Sequence, residues 1–268
     1  TDGQINSIFK NPHANLKLRA NSVALDNIQN VAQLTNIQAF KVLLADFVDY
    51  KGVLNLNVDI KRNLPYGKLT FNNVSMFNKK QQIPLELKSG GVKLAGDKIF
   101  LDAFNINYGK TPFYFDATMK DYLGKKPVFN AMYSTNIDEI SADNIINPSL
   151  TYPLKVKGEI RSKGRIKGDF NNYSVISYLT LPIGTDITYM GANVGDTQYN
   201  REFEAKADFT KNTAKVNSVK YIKFIPSQNN KPTPVTMLKA SGKVVSSGKN
   251  LNFDNFKIVT PNPVTAKI

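Results

Sequence analysis

The sequence predicts an all-β protein made of an antiparallel meander, and three observations carry this prediction. Apolar and polar residues alternate with a period of two in one segment after another, which is typical of strands with one apolar face. Turn-forming Gly, Pro, Asn and Asp residues separate these segments at intervals of roughly eight to twelve residues. Hydrophobic residues make up 41% of the 268 positions, which is enough for a packed interior.

In the first half of the chain, the clearest strand covers residues 52–60, where apolar residues alternate with Asn and Asp. The same pattern predicts further strands at 67–74, 82–87, 91–95, 99–101, 104–108 and 113–117, with turns between them that include 89–91. Every second residue of a strand lies on the same face. The predicted apolar face comprises Leu54, Leu56, Val58, Leu69, Phe71, Leu85, Leu87, Val92, Leu94, Ile99, Leu101, Phe113 and Phe115.

The alternation continues through the second half without a clear linker. Strands are predicted at 128–137, 152–161, 165–170, 175–181, 202–209, 214–225, 235–245 and 251–259. Residues 184–200 are rich in Gly, Asp, Asn and Thr and form the weakest point of the pattern, where we expect a long hairpin loop. We therefore predict a single elongated β region over residues 1–268, which we expect to be a fragment of a longer protein.

Two short helices are predicted to cover open edges of this sheet. Asn36 is a suitable N-cap for a helix over residues 37–48, in which apolar residues recur at spacings of three and four. A shorter helical turn is predicted over residues 138–146, with Pro148 ending it. Asp138 and Glu139 at its start are explained by the helix dipole without any catalytic role.

Composition excludes several kinds of chemistry. The chain has no cysteine and one histidine, His13, in a polar stretch, so thiol catalysis and zinc centres built on Cys and His are excluded. No Ser, Lys, Asp or Glu spacing points to a catalytic arrangement, and no phosphate-binding loop motif is present. We predict a protein that is not an enzyme, with no catalytic residues, no metal and no cofactor.

Positive charge is the other marked feature, with 35 Lys and Arg against 21 Asp and Glu, a net charge of +14. Such a balance suits nucleic acid, an anionic lipid surface or an acidic polymer. Four cations, Arg161, Lys163, Arg165 and Lys167, alternate on what we predict to be a twisted hairpin and are candidates for contact with lipid head groups. A solvated polar face is the simpler interpretation of these four residues.

The distribution of aromatic residues argues against nucleic acid. A sheet that binds RNA presents aromatic rings on the same face as its basic residues. Here Phe71, Phe113 and Phe115 have the same parity as the Leu and Val residues, so they belong to the apolar face. We therefore predict no nucleic-acid partner.

Four runs of the sequence combine Gly or Pro with alternating apolar residues: GVLNLNVDI at 52–60, PYGKLTFNNV at 65–74, GVKLAGDKIFLD at 91–102 and TPFYFDA at 111–117. Together these runs resemble the AsmA/TamB/YhdP group of bacterial envelope proteins. In that group a Gly-started strand of alternating aliphatics is followed by a Pro-x-Gly entry to the next strand, and a later strand restarts after a small residue and Pro. The resemblance covers roughly residues 16–170.

What the resemblance implies is an elongated, curved antiparallel sheet folded into an open trough, with phospholipid acyl chains lying along its apolar face. It further implies a periplasmic location, an inner-membrane anchor outside this sequence, and a role in phospholipid transport between the inner and outer membranes or in outer-membrane biogenesis. The residues themselves leave open an alternative, a structural or adhesive surface protein made of closed β-sandwiches. Alternation reports a face hidden from water without saying what covers that face.

Overall fold

The chain is described by a computed structural model, which divides it into two compact units, Thr1–Ala131 and Met132–Ile268. The described residues are 2–6, 13–26, 47–79, 82–124, 126–143, 147, 152–189, 191–195, 200–210, 213–225, 233–247, 250–259 and 265–267.

The first unit is built on a single antiparallel sheet in its described part. Its strands are β1 Asp2–Asn6, β2 His13–Ala24, β3 Phe47–Lys61, β4 Leu64–Asn78, β5 Ile83–Ala95, β6 Lys98–Tyr108 and β7 Thr111–Lys120. Each strand pairs with the next one along the chain, and β1 pairs only with β2. The described strands of this unit therefore form an open meander with no second sheet layer among them.

The second unit contains a larger and a smaller sheet. Its first strand, β8 Val128–Asp138, begins just before the boundary between the units. The larger sheet continues with β10 Glu159–Asp169, β11 Asn172–Leu181, β14 Arg201–Thr210, β15 Thr213–Ile225, β16 Thr233–Ser247, β17 Asn250–Val259 and β18 Thr265–Lys267, in that order. The smaller sheet has the order β13-β12-β9, from β9 Lys155–Lys157, β12 Asp186–Tyr189 and β13 Ala192–Gly195. The predicted fold class, an open antiparallel all-β sheet with a short helix, is confirmed.

The shorter helix, predicted over residues 138–146, forms over Glu139–Ser141, with residues 144–146 and Pro148 outside the described residues, and the end of the longer predicted helix is wrong. Helix α1, Glu139–Ser141, begins at Asp138, whose Oδ1 accepts hydrogen bonds from the Ser141 amide at 2.8 Å and hydroxyl at 2.7 Å. Of the predicted helix over 37–48, residues 37–46 lie outside the described residues, while Phe47 and Val48 belong to β3. These two residues pair with β4, so ladder hydrogen bonds take the place of the helical pattern there.

Two predicted turns lie inside continuous strands, and one predicted loop contains strands. The segment 89–91 is not a turn, because β5 runs through it. The predicted hairpin around Gly164 is also wrong, since residues 159–169 form the single strand β10. Residues 184–200 contain β12 and β13 rather than one long loop. The strands β1 and β2 were not predicted, although Leu16, Leu18 and Ala20 already alternate with polar residues.

Candidate functional site

Strand register gathers the thirteen predicted apolar residues of the first unit on one face. Directly paired residues of neighbouring strands share a face, and the pairs run from β3 to β7 without a break. They are Leu54 with Phe71, Leu56 with Leu69, Leu69 with Val92, Val92 with Leu101, Leu94 with Ile99, Leu87 with Ile106, and Ile106 with Phe113. We call this surface the first apolar face.

Bulges keep this face apolar along the whole length of the strands. The register shifts between Leu101 and Phe104, where Ala103 has a φ of +49°. A bulge adds one residue and so changes the phase of the alternation, and it also bends the strand. The Ala103 amide that the bulge removes from the ladder donates to Asp116 Oδ1 at 2.6 Å, on the adjacent strand. Leu101 and Phe104 consequently both contribute to the apolar cluster although they lie three positions apart.

Phe104 forms the centre of the first apolar face. Its ring stacks on Phe115 at a centroid distance of 5.1 Å and meets Phe71 edge-on at 6.2 Å. Phe71 and Phe104 belong to β4 and β6, so their rings meet across β5. Gly90 of β5 makes this possible, since a Cβ there would lie 2.9 Å from the Phe104 ring. Gly90 also has a φ of +145°, a conformation that other residues rarely adopt.

Burial is uneven over the first apolar face, on which Val74, Leu87 and Phe104 belong to a buried cluster. Of the thirteen predicted residues, Val58 is 3% and Leu87 is 8% exposed, and the other eleven are only half-buried. The opposite face is mostly polar, although Phe100 and Tyr114 lie on it, and there Arg19 binds Asp59 at 2.7 Å. The hydrogen bond from Arg19 lowers the pKa of Asp59 below its usual value. The first unit thus presents a broad apolar surface that its described strands cover only in part.

The larger sheet of the second unit also has an apolar face, on which a row of small residues lies between aromatic side chains. Ser177, Ala205, Val219 and Ala240 are paired in sequence across β11, β14, β15 and β16, and we call this row of small residues the floor. On one side of the floor, Phe203 stacks on Tyr221 at 4.9 Å. On the other side, Tyr173 stacks on Phe209 at 5.1 Å. Phe203 and Phe209 are six residues apart on β14, so these aromatic borders stand about 20 Å from each other.

One end of this second apolar face is closed. Val156 of β9 and Ala142 after α1 are buried against Ile160 and Leu181 of the larger sheet, with Phe203 at the margin of the cluster. A buried Arg201, 1% exposed, donates from its guanidinium to the carbonyl oxygen of Thr185. The hydroxyl of Thr185 in turn donates to the carbonyl oxygen of Glu159 at 3.1 Å. The smaller sheet therefore packs over one end of the face, whereas the residues of the floor beyond it are half-buried, apart from buried Ala240.

The four candidate head-group cations do not lie with the apolar residues. Arg161, Lys163, Arg165 and Lys167 are all exposed on one face of β10, and they alternate with Ser162, Gly164 and Ile166, which face the second apolar face. The structure therefore groups the four cations but places them on the back of the sheet. Lys163 lines a depression of about 450 Å³ there, together with Tyr178, Thr180, Glu202 and Glu204.

Charges on this back face are partly compensated. Glu159 pairs with Arg161, and Glu204 lies 3.0 Å from Lys206 and 3.6 Å from Lys220. The hydrogen bond from Lys206 lowers the pKa of Glu204. The hydrogen bond from Ser174, at 2.6 Å, likewise lowers the pKa of Asp208. The arrangement resembles a solvated, salt-bridged surface more than a pocket for a single anion.

The described part of the chain shows neither a group of metal ligands nor a helix that could cross a membrane. There, no group of three or more His, Asp and Glu residues is placed to hold a metal ion. The helical segments among the same residues are too short and too polar to cross a membrane. In comparisons with known proteins, no family model, no curated protein and no solved structure matches this chain.

Proposed function

We propose that this protein is a non-enzymatic lipid-binding module that shelters acyl chains on its apolar sheet faces. The supporting observation is that eleven of the thirteen predicted residues on the first apolar face are only half-buried although they form one contiguous surface around the buried Val74, Leu87 and Phe104. Contiguous apolar surface of this size in a soluble protein marks a binding surface. On this proposal the protein carries phospholipid between bacterial membranes from the periplasm, with an inner-membrane anchor outside this sequence.

The energetics favour such a role. A phospholipid chain of about sixteen carbons exposed to water carries a cost on the order of 12 kcal/mol, at about 0.8 kcal/mol per methylene. An apolar sheet face removes most of that cost and loses its own contact with water at the same time. The alternative, a structural or adhesive β-sandwich, requires a second sheet over the first apolar face, and the described strands of the first unit provide none.

The test compares two substitutions on adjacent residues of β4. Leu69 lies on the first apolar face, whereas Thr70 is exposed on the opposite face. We expect Leu69→Asp to remain folded by circular dichroism and to lose phospholipid that mass spectrometry detects on the purified wild type. Thr70→Asp, which adds the same charge to the other face, should retain the lipid.

A sealed core gives the opposite pattern. An unpaired carboxylate inside such a core costs several kcal/mol, so Leu69→Asp would then unfold the unit. That outcome, or a wild type that carries no lipid and takes none up from vesicles of phosphatidylglycerol and phosphatidylethanolamine, would overturn the proposal.

A further inference from the structure

Three hydroxyl groups form a polar cluster on the otherwise apolar face of the second unit. The Tyr133 hydroxyl of β8 donates to Ser177 Oγ at 2.9 Å and lies 3.4 Å from Ser162 Oγ, while the two serine oxygens are 3.3 Å apart. The Tyr133 ring lies over Gly164, where a Cβ would come within 2.9 Å of it. We call Tyr133, Ser162 and Ser177 the hydroxyl cluster. Polar groups on an apolar face call for a specific explanation.

Thr135 supplies an observation independent of this cluster. It lies two residues from Tyr133 on β8 and therefore faces the same side of the sheet. Its side chain is 6% exposed, and no described residue offers a hydrogen-bond partner to its Oγ1. A buried hydroxyl without a partner costs free energy, and an apolar side chain of the same shape would avoid that cost. An acceptor oxygen supplied by a ligand would use this donor.

The surroundings of the cluster indicate which kind of oxygen fits. The side chains around the cluster on this face include Leu179, Phe203 and Ala205, which carry no charge, and the candidate cations of β10 project from the opposite face. The buried Arg201 lies on the same face at its closed end, where its guanidinium donates to the carbonyl oxygen of Thr185. Neutral hydroxyl donors suit a neutral carbonyl, whereas phosphate and carboxylate groups are held by cationic or multiple amide donors. The floor begins at Ser177 and leads over Ala205, Val219 and Ala240, a length of about 14 Å at sheet spacing.

From these observations we infer that the hydroxyl cluster with Thr135 binds the ester carbonyl of an acyl lipid whose hydrocarbon tail lies along the floor. This inference rests on the proposed function and deepens it, because it fixes the position and direction of one acyl chain in the second unit. The aromatic pairs Phe203–Tyr221 and Tyr173–Phe209 border the tail on its two sides.

The experiment uses two probes that differ only at the predicted contact. They are 1-palmitoyl-lysophosphatidylcholine, which has an ester carbonyl, and 1-O-hexadecyl-lysophosphatidylcholine, which has an ether in its place. Binding to the whole chain is measured by equilibrium dialysis below the micelle concentration. We expect the wild type to bind the ester about three- to tenfold more tightly than the ether, the factor that one or two hydrogen bonds provide.

Two variants each remove one hydroxyl group with little change of shape: Thr135→Val removes the hydroxyl without a partner, and Tyr133→Phe breaks up the hydroxyl cluster, in which Tyr133 donates to Ser177. Thr135→Val and Tyr133→Phe should each lower affinity for the ester toward that for the ether and leave ether binding unchanged. Thr135→Val should also raise the thermal unfolding midpoint, because it removes a buried hydroxyl without a partner. Ser174→Ala, on the same strand as Ser177 but on the polar face, is the matched control and should keep the ester preference.

The possible failures are distinguishable. Equal binding of both probes by the wild type, or an equal loss of both in Thr135→Val, overturns the inference while the proposed lipid-binding function stands. A wild type that binds neither probe overturns the inference, and together with loss of phospholipid uptake from vesicles it overturns the proposed function as well.

Discussion

Substitution by alanine should affect stability very differently at two adjacent glycines of β5. Gly90 has a φ of +145°, and a Cβ there would lie 2.9 Å from the Phe104 ring and 3.1 Å from the Phe104 Cα. Gly91 has no positive φ, and the nearest atom to its Cβ would be the Leu69 carbonyl oxygen at 3.8 Å, an ordinary contact. We expect Gly90→Ala to destabilise the first unit and Gly91→Ala to leave its stability nearly unchanged.

The magnitude for Gly90→Ala has two contributions. Forcing alanine into a backbone region that essentially only glycine occupies costs about 1–3 kcal/mol. Displacing Phe104 weakens its contacts with Phe71 and Phe115, each worth about 0.5–1.5 kcal/mol. The sum is about 2–6 kcal/mol, of which partial relaxation of the ring recovers some. For Gly91→Ala, the lower conformational entropy of the unfolded chain raises the free energy of unfolding by about 0.4–1 kcal/mol at most.

Urea unfolding followed by circular dichroism and by tyrosine fluorescence measures both variants against the wild type. The urea concentration at which the first unit is half unfolded is expected to fall for Gly90→Ala. The dependence of the unfolding free energy on urea should stay the same, because the substitution should not alter the surface exposed on unfolding. Equal destabilisation by the two substitutions, or an unaffected Gly90→Ala, would refute the argument that Phe104 lies over a bulged glycine.

Two further predictions concern the second unit. Asp208 accepts hydrogen bonds from Ser174 Oγ at 2.6 Å and Asn217 Nδ2 at 2.8 Å, and these bonds lower the pKa of its carboxyl group. The ionised carboxylate therefore stabilises the fold above the unfolded-state pKa of about 3.9, and this stabilisation is lost as the pH falls through the lower pKa of the folded state. Asp208→Asn should therefore flatten the decline of the unfolding midpoint in acid, and an unchanged acid slope would contradict this. Asp138→Ala removes the cap of α1 and should cost about 0.5–2 kcal/mol in urea unfolding, whereas Asp138→Asn, which keeps an acceptor, should cost less. Equal losses in both Asp138 variants would contradict the argument that a hydrogen-bond acceptor at this position stabilises the start of α1.

Alternation predicted which residues share the apolar face, but it did not predict where the strands end. The segment Ser89, Gly90, Gly91 has the composition of a turn, and the apolar phase changes across it from Leu87 to Val92. A bulge produces the same two signals inside a continuous strand. What distinguishes them is whether the neighbouring strand continues alongside, and here Leu85 and Leu94 of one strand pair with Tyr108 and Ile99 of another. That is a long-range fact that local sequence does not contain.

For the second unit, the sequence predicts on which face the cations of β10 lie, but it does not predict the hydroxyl cluster. Ser162, Gly164 and Ile166 alternate with the four cations of β10, so parity alone places those cations away from the apolar side. The hydroxyl cluster could not be predicted in the same way. Ser162 and Ser177 are fifteen residues apart and Tyr133 lies on another strand, so their contact depends on strand order and on the room that Gly164 leaves for the ring.

The separation of charge from apolar surface limits what the cations of β10 do in lipid binding. Successive side chains of a strand point to opposite faces of the sheet, so Lys163 and Lys167 project away from the polar group of a lipid that lies over the floor. At physiological salt, charges act over about 8 Å. On the proposed lipid-binding function, their effect is therefore on approach to an anionic membrane, and it weakens as salt rises, while retention of the lipid depends on the apolar face and varies little with salt. Under the proposed function, lipid loading and lipid holding are thus assigned to opposite faces of the same strands.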